Sequence, residues 1–220
     1  MLTARNATSR RGSRLQQIEM ASASSNPMID LESFDEESGT LNVIIETPKG
    51  SRNKFKYDER SEVFKLGGAL PLGAVFPFDF GYIPSTRAED GDPLDVLILM
   101  DEPAFTGCLV QAKLIGVIEA EQTEAGETTR NDRLIAVAAE SRNHSHIRFI
   151  GDLNSNLVHE IERFFVSYNE TKGKQFEVLG RFGPDRAAAL VKDGTKKFNH
   201  DRRNKKKRIS TGKRKQGGSS

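Results

Sequence analysis

The 220-residue sequence contains a single cysteine, Cys108, and lacks any apolar run close to the roughly 18–20 residues that a membrane-spanning helix needs. One cysteine excludes a disulfide within the chain and is typical of a protein kept in a reducing compartment. Internal repeats are also absent, and the length suits one domain of ordinary size with tails. We therefore expect a soluble, cytoplasmic protein without a membrane segment.

Charge is distributed unevenly along the chain, although the formal net charge is only +2. Residues 1–18 carry four arginines and no acid, and residues 192–220 carry twelve lysines and arginines against two aspartates. Residues 19–191 therefore have a net charge of −12. An acidic body favours metal cations, whereas basic tails favour polyanions or the acidic body itself.

Both ends of the chain have too few apolar residues to fold alone. We therefore expect residues 1–37 and 196–220 to be disordered around a folded domain at residues 38–195. The arginine-rich start fits either organellar targeting by residues 1–18 or translation from Met20 or Met28, and we favour the latter. The basic tail fits either a solubilising role or contact with nucleic acid or another polyanion. No aromatic residue interrupts residues 202–215, which favours the solubilising role.

The central region shows strand patterns first and helix patterns last. Apolar and β-branched runs bounded by turn residues predict strands at residues 41–47, 94–100, 108–120, 134–139 and 175–182. An apolar stripe at helical spacing predicts a helix over residues 157–168, and Pro184 predicts the start of a second helix that includes residues 186–191. This order favours an α+β fold in which helices pack outside a small barrel.

Four carboxylates lie within residues 89–95, with no lysine or arginine among them. Carboxylates this close repel one another, so an ordered loop needs a counter-ion, and Mg²⁺ prefers oxygen ligands. A calcium EF-hand is excluded because the D-x-D-x-x-D spacing is wrong and no glutamate follows at the twelfth position. Two interpretations remain, which are a magnesium site for phosphate chemistry and a solvated turn before a strand.

The aromatic segment at residues 75–84, VFPFDFGYIP, precedes the DGDPLD motif at residues 90–95. Together they resemble the family I soluble inorganic pyrophosphatases, whose pattern joins an aromatic segment ending in Ile-Pro to D-G-D-P-x-D. The resemblance extends over about residues 41–190. It implies a small five-stranded OB-like β-barrel with flanking helices, an inorganic diphosphatase activity and a homo-oligomer, commonly dimeric or hexameric.

The resemblance also implies roles for individual residues, with several Mg²⁺ ions per site and Mn²⁺ as an alternative metal. Asp92 matches the catalytic carboxylate that interacts with the nucleophilic water. The residues that match metal contacts are Asp90, Asp92, Asp95, Asn131 and Glu46. The residues that match pyrophosphate contacts are Lys54, Arg133 and Tyr168. Without the resemblance, Lys54 also fits a solvated basic cluster, Tyr168 a core position and Glu46 an exposed strand position.

Several positions depart from the family pattern. The departures are Lys56 for glutamate, Gly68 for arginine, Phe80 for tyrosine, Asn131 for aspartate, Arg133 for lysine and Asn169 for lysine. Asp132 lies one residue from the missing aspartate, on the opposite strand face unless a bulge intervenes. Two lost charge-assisted phosphate contacts correspond to about 10²–10⁴ in affinity or rate.

The leading hypothesis is Mg²⁺-dependent hydrolysis of pyrophosphate to two orthophosphates by a metal-activated water. The departures keep two alternatives open. One is a divergent protein of the same fold that binds a phosphorylated ligand or partner with little turnover. The other is an enzyme that hydrolyses a different phosphoanhydride.

Overall fold

The computed structural model describes the backbone of residues 26–216 and the side chains of residues 26–205. Its helices are α1 (Pro27–Asp30), α2 (Ser155–Glu170) and α3 (Pro184–Gln216), with a 3₁₀ turn at Ile150–Asp152. Its strands are β1 (Leu41–Thr47), β2 (Asn53–Asp58), β3 (Val63–Ala69), β4 (Asp79–Ile83), β5 (Leu94–Leu99), β6 (Leu109–Glu124), β7 (Glu127–Arg130), β8 (Arg133–Ala138) and β9 (Gln175–Phe182). No helix in this part of the chain is long and apolar enough to cross a membrane.

Five of the strands close into a ring. β1 pairs with β4, β4 with β5, β5 with β8, β8 with β6, and β6 pairs back with β1. Only the β5–β8 pairing is parallel among these five. β7 and β9 pair with the long strand β6, and β2 and β3 form a separate hairpin. The predicted α+β fold with a five-stranded OB-like barrel is confirmed.

All five strands predicted from the sequence are present, two of them with the predicted bounds. The hairpin β2–β3 and the strands β4 and β7 were not predicted. β2 and β3 carry exposed and charged residues on a hairpin outside the ring, so their sequence lacks the apolar run of a buried strand. The helix predicted at residues 157–168 is α2, extended by about a residue or two at each end.

The ring strands supply two core clusters through alternate residues. One cluster draws on all five ring strands and on Ala187 and Val191 of α3. The other draws on four ring strands and on Val158, Ile161 and Phe165 of α2. Burying a large apolar side chain contributes about 1.5–3 kcal/mol. Apolar contacts therefore hold both helices against the barrel. In this position the C-terminal end of α2 lies at the edge of the barrel.

Gly81 permits the close approach of β4 to β1. A Cβ atom at this position would lie 2.2 Å from the backbone oxygen of Ile44, so no other residue fits without a shift of the backbone. The approach sets β1, which carries Glu46, against the aromatic strand β4.

The N-terminal part of the domain is more ordered than the sequence predicts. Residues 26–37 lie within the segment expected to be disordered, yet they include α1 and dock on the barrel. The Tyr82 hydroxyl donates to the Met28 carbonyl at 2.8 Å, and the Ser85 amide donates to the Ile29 carbonyl at 2.8 Å. Tertiary hydrogen bonds to β4 and its loop thus order a segment too polar to fold alone. Residues 1–25 of the predicted segment lie outside the described residues.

The C-terminal helix is also longer than predicted, because α3 continues through Gln216 instead of giving way to a disordered tail at residue 196. Phe198 is only 6% exposed, and the Arg87 guanidinium carbon lies 5.9 Å from the centre of its ring. Arg202 forms an ion pair with Asp30 of α1 at 3.1 Å. One buried aromatic residue, Phe198, therefore anchors the helix. The stretch around it is so rich in lysine and arginine that its composition alone does not indicate a buried residue. The domain boundary predicted at residue 195 falls inside α3.

Replacing Phe198 with Leu tests this anchor. We expect the free energy of unfolding to fall by about 1 kcal/mol, because a buried ring is replaced by a smaller side chain and its contact with Arg87 is lost. Thermal and denaturant unfolding of the full-length variant would measure the change. An unfolding midpoint identical to that of the unsubstituted protein would show that residues 196–205 do not pack as described.

Candidate active site

A pocket of about 620 Å³ lies where β1, β2, the β4–β5 loop, the start of β8 and the end of α2 meet. Every residue that the sequence predicted for the site lines this pocket. These residues are Glu46, Lys54, Asp90, Asp92, Asp95, Asn131, Arg133 and Tyr168. Residues up to 122 positions apart in the sequence, from Glu46 to Tyr168, are thus brought to one cavity.

The acidic loop between β4 and β5 owes its shape to a tight turn. Gly91 has a φ of 88°, in the left-handed region that glycine adopts without strain. A carboxylate oxygen of Asp90 accepts a hydrogen bond from the Asp92 amide at 3.0 Å, and the Ala88 amide donates to the Asp92 carbonyl at 2.8 Å. The turn holds Asp90 and Asp92 at the pocket, and Asp95 follows as the second residue of β5.

Carboxylates in the pocket are paired with cationic side chains from other elements. Lys56 Nζ lies 2.6 Å from Asp92 Oδ2, and an Arg133 nitrogen lies 2.7 Å from Asp95 Oδ2. The counter-ions that the acidic loop lacks in sequence are therefore supplied in part by β2 and β8. Asp95 is not part of a solvated turn, since it contacts a buried arginine, whereas the Asp90 and Asp92 side chains are exposed.

Glu46 and Lys54 form a buried ion pair on neighbouring strands. Their charged atoms lie 3.0 Å apart, and their side chains are only 8% and 14% exposed. Glu46 also accepts a hydrogen bond from the Tyr57 amide at 2.9 Å, and the Lys54 ammonium lies 3.9 Å from the centre of the Phe80 ring. Neither residue is the solvated surface group that the alternative interpretation described. Phe80, which lacks the hydroxyl of tyrosine, offers its ring face to Lys54 instead.

Arg133 is the most buried cation of the site, with 4% of its surface exposed. Besides Asp95 it hydrogen-bonds the side-chain oxygen of Asn131, and it lies 4.9 Å and 5.4 Å from the ring centres of Phe165 and Phe176. Its Nε–H has no hydrogen-bond partner among the described residues. A buried, unpaired guanidinium donor beside a pocket is suited to an anionic oxygen of a ligand.

Asp132 does not replace the missing metal ligand in the main pocket. Its carboxylate accepts hydrogen bonds from the Ala120 amide at 3.0 Å and from Arg130 at 2.9 Å. It lines a second cavity of about 460 Å³ on the other side of the acidic loop. Asn131 and Asp132 form the two-residue link between β7 and β8, and only Asn131 lines the main pocket together with Arg133.

The end of α2 supplies a tyrosine and two lysines. Tyr168 lines the pocket, and its ring stacks on Phe164 with the centroids 6.0 Å apart, so it serves the core and the site together. Asn169 also lines the pocket, but it is only 3% exposed and donates to the Phe165 carbonyl at 2.9 Å, so it supplies no positive charge there. Lys172 and Lys174, on the turn that follows, line the same pocket.

Lys172 and Lys174 were not predicted as site residues from the sequence. The Lys172 and Lys174 amides donate to the Asn169 carbonyl at 2.9 Å and 3.0 Å, which folds the turn back towards the pocket. Burial lowers the pKa of Lys172, and the neighbouring Lys174, Lys56 and Arg133 lower it further. The signal in the sequence was the Lys-Gly-Lys triplet at residues 172–174, one helical turn beyond the apolar stripe that ends at Tyr168. Gly68, by contrast, pairs with Lys54 on the hairpin and does not line the pocket.

The donor set fits a hard divalent cation. Partial burial raises the pKa of Asp90, and Asp95 and Asp92 raise it further. Burial also raises the pKa of Asp95, against the opposing charges of Arg133 and Lys54. A bound divalent cation would relieve this cost of ionisation. Among residues 26–205 no three acidic, histidine or cysteine side chains converge into a closed cage. Such an open set suits Mg²⁺, which is held by one or two carboxylates with water and phosphate oxygens.

Fold and pocket together define a class of protein. Oxygen donors for a divalent cation and buried cationic groups for an anion meet at the edge of a small barrel. Such a site suits a barrel protein that binds phosphate groups together with divalent cations.

Comparison with known proteins agrees with this class. The family model for inorganic pyrophosphatase matches residues 43–199. The inorganic pyrophosphatase of Synechocystis sp. is 36% identical over 161 residues, which cover 73% of this chain and 93% of that protein. The inorganic pyrophosphatase of Thermus thermophilus is 38% identical over 159 residues, which cover 71% of this chain and 87% of that protein.

Solved structures agree as well. The crystal structure of the Thermus thermophilus inorganic pyrophosphatase superposes with a TM-score of 0.72 at 32% identity, over 79% of this chain and 99% of that one. An inorganic pyrophosphatase from Neisseria gonorrhoeae superposes with a TM-score of 0.71 at 30% identity, over 79% of this chain and 99% of that one. The chain belongs to the inorganic pyrophosphatase family, as the sequence motifs predicted.

Proposed function

We propose that the protein hydrolyses inorganic pyrophosphate to two orthophosphates with Mg²⁺ as the cofactor. The observation that carries the proposal is the convergence of all eight predicted site residues on one pocket in a chain of this family. Mg²⁺ in this site would supply a water of lowered pKa and would neutralise charge on the phosphate oxygens. Several ions per site are proposed, with Mn²⁺ as an alternative.

Asp92 is the proposed catalytic carboxylate. Its side chain is 56% exposed in the pocket, so water reaches it. The carboxylate would orient the attacking water and accept its proton as a new P–O bond forms to the water oxygen. The bridging P–O bond would break with its electron pair on the leaving phosphate, which then takes up the proton, so that two orthophosphates are released. The proposed metal contacts, direct or through water, are Asp90, Asp92, Asp95, Asn131 and Glu46.

Lys54, Arg133 and Tyr168 are the proposed contacts of pyrophosphate. Arg133 offers an unpaired Nε–H, and Lys54 is held between Glu46 and the Phe80 ring, so both donors are fixed before substrate binds. Fixed donors stabilise the charge of the phosphoryl group in the transition state without the cost of reorganisation. Lys172 and Lys174 add positive charge to the same wall and compensate for the lysine absent at Asn169.

Release of orthophosphate from pyrophosphate tests the proposed function. We expect turnover with Mg²⁺, altered turnover with Mn²⁺ and none with EDTA, and we expect pyrophosphate to have the highest kcat/KM in a panel with nucleoside triphosphates and tripolyphosphate. Background release by the unsubstituted protein, equal to that of an Asp92→Asn control, would reject the hydrolysis. Calorimetric binding of a pyrophosphate analogue without turnover would then identify a binding protein, and preference for another substrate would identify a different phosphoanhydride hydrolase.

We further propose that the protein forms homo-oligomers and works in the cytoplasm. Several large apolar side chains are exposed on the described surface, and burying them between subunits would remove them from water. They include Val63, Leu66, Leu72, Val75 and Phe105. Sedimentation of the full-length chain at several concentrations would measure the oligomeric state, and a monomer at all of them would reject assembly. The single cysteine supports the cytoplasmic location.

The basic C-terminal stretch supports a secondary proposal, contact with a polyanion. α3 carries this stretch on a continuous helical backbone through Gln216. Because Phe198 anchors the helix, the informative truncation removes residues 206–220 and spares residues 196–205. Salt-sensitive binding to duplex DNA, lost in this truncated chain, would support the contact. Equal binding by both chains would assign the tail a solubilising role.

A further inference from the structure

Lys56 contacts the proposed catalytic carboxylate directly. It lies on β2, outside the barrel ring, and its Nζ reaches Asp92 Oδ2 on the β4–β5 loop at 2.6 Å. A lysine side chain is an ammonium ion at physiological pH, so Lys56 stands where a cation would neutralise Asp92.

The pocket as a whole is nearly balanced in charge. Its lining includes six carboxylates and seven lysine or arginine side chains. Any divalent ion that enters therefore faces cationic groups of the protein as well as acidic ones. Opposite charges in contact near a protein surface attract one another, although solvent and salt weaken the attraction. The Lys56 ammonium therefore competes with a metal ion for the Asp92 carboxylate.

Lys56 differs from the other site cations in its exposure. Lys54 and Arg133 have side chains that are 14% and 5% exposed, and both are held by aromatic rings. The Lys56 and Asp92 side chains are 47% and 56% exposed, so their ion pair can open without disturbing the core. A substitution of Lys56 therefore changes the charge at Asp92 while the fold is kept.

We propose that Lys56 is a built-in cation that takes the place of one divalent ion at Asp92 in the free protein. The protein then binds fewer divalent ions before substrate arrives than its carboxylates would otherwise hold. The inference rests on the proposed function, since it assigns Asp92 to the metal-binding edge of the site. Beyond that function, Lys56 sets how many divalent ions the protein binds before substrate arrives.

Titration of the metal-free, full-length protein with Mn²⁺ in the absence of pyrophosphate tests the proposal. Calorimetry and the electron paramagnetic resonance signal of free Mn²⁺ would give the number and affinity of bound ions. We expect Lys56→Gln to bind about one more Mn²⁺ per chain, or to bind Mn²⁺ about 10-fold more tightly, and Lys56→Glu to exceed it. Lys56→Arg should resemble the unsubstituted protein. Identical stoichiometry and affinity in all four proteins would overturn the proposal.

Lys65 provides a matched control. It lies directly opposite Lys56 in the β2–β3 pairing and lines the same pocket, but its ion pair is with Asp58. Lys65→Gln removes the same charge from the same hairpin, so it should leave Mn²⁺ binding within about twofold of the unsubstituted value. An equal gain in Lys65→Gln would assign the effect to net charge and overturn the specific role of Lys56.

A double variant ties the effect to Asp92. In the Asp92→Asn background, Lys56→Gln should no longer raise Mn²⁺ affinity, because the shared carboxylate is gone. A gain that persists there would also overturn the proposal. The titration contains no substrate, so it stands apart from the hydrolysis assay. If no phosphate is released but Lys56→Gln gains Mn²⁺ binding, the proposed function is rejected and the role of Lys56 stands. If phosphate is released but the substitutions leave Mn²⁺ binding unchanged, only the role of Lys56 is rejected.

Discussion

Replacement of Asp92 with Asn is expected to lower the kcat for pyrophosphate about 10³-fold while the protein keeps its fold. The amide has the same shape but carries no charge and cannot accept a proton from the attacking water. Side-chain exposure of 56% and an ion pair with the exposed Lys56 indicate that the carboxylate contributes little to stability. Steady-state phosphate release at saturating Mg²⁺ would measure the loss, and thermal unfolding would confirm the fold.

Asp58→Asn is the matched control for this prediction. Asp58 lines the same pocket and also pairs with an exposed lysine, Lys65, but it lies on the hairpin away from the acidic loop. Its substitution removes one unit of negative charge and should change kcat by no more than about twofold. A comparable loss in both variants would mean that pocket charge, not Asp92, sets the rate. Full activity of Asp92→Asn would remove Asp92 from the mechanism.

Much of the fold could be predicted from the sequence because buried strands and an amphipathic helix leave local signals. The runs that became β1, β5 and β8 are mostly apolar, since both faces of a ring strand are covered. The hairpin β2–β3 left no such signal, because it lies outside the ring and its residues are mostly exposed. The continuation of α3 depends on one residue, Phe198, whose burial only the folded structure reveals.

The candidate site could be predicted as a set of residues but not as a set of contacts. Motif order placed Asp90, Asp92 and Asp95 together, and it placed Asn131 at the main pocket, which Asp132 does not line. The pairing of Lys56 with Asp92 joins residues 36 positions apart through the hairpin, and no local pattern encodes that contact. The acidic loop therefore looked like an uncompensated cluster in sequence, whereas the folded pocket balances it with lysines and arginines from four other segments.

Arg133→Gln is expected to weaken both stability and catalysis. Arg133 is 4% exposed and holds Asp95 at 2.7 Å, so its loss leaves Asp95 facing the pocket without its partner. Removing one member of a buried ion pair costs about 3–5 kcal/mol, and the 27% exposure of the Asp95 side chain places this case near about 3 kcal/mol. The lost guanidinium donors should also lower kcat/KM about 10²-fold. Denaturant unfolding and steady-state kinetics would measure the two effects.

Arg133→Lys separates charge from geometry. Lysine restores a positive charge beside Asp95, but a single ammonium cannot reproduce the fork that reaches Asp95 and Asn131 together while Nε–H stays free. The free energy of unfolding should therefore recover by more than half, and kcat/KM should recover only in part, with the remaining loss in KM for pyrophosphate. Complete recovery of both by lysine would show that charge alone matters at this position. Equal failure of both variants would show that packing against Phe165 and Phe176 is the role of Arg133.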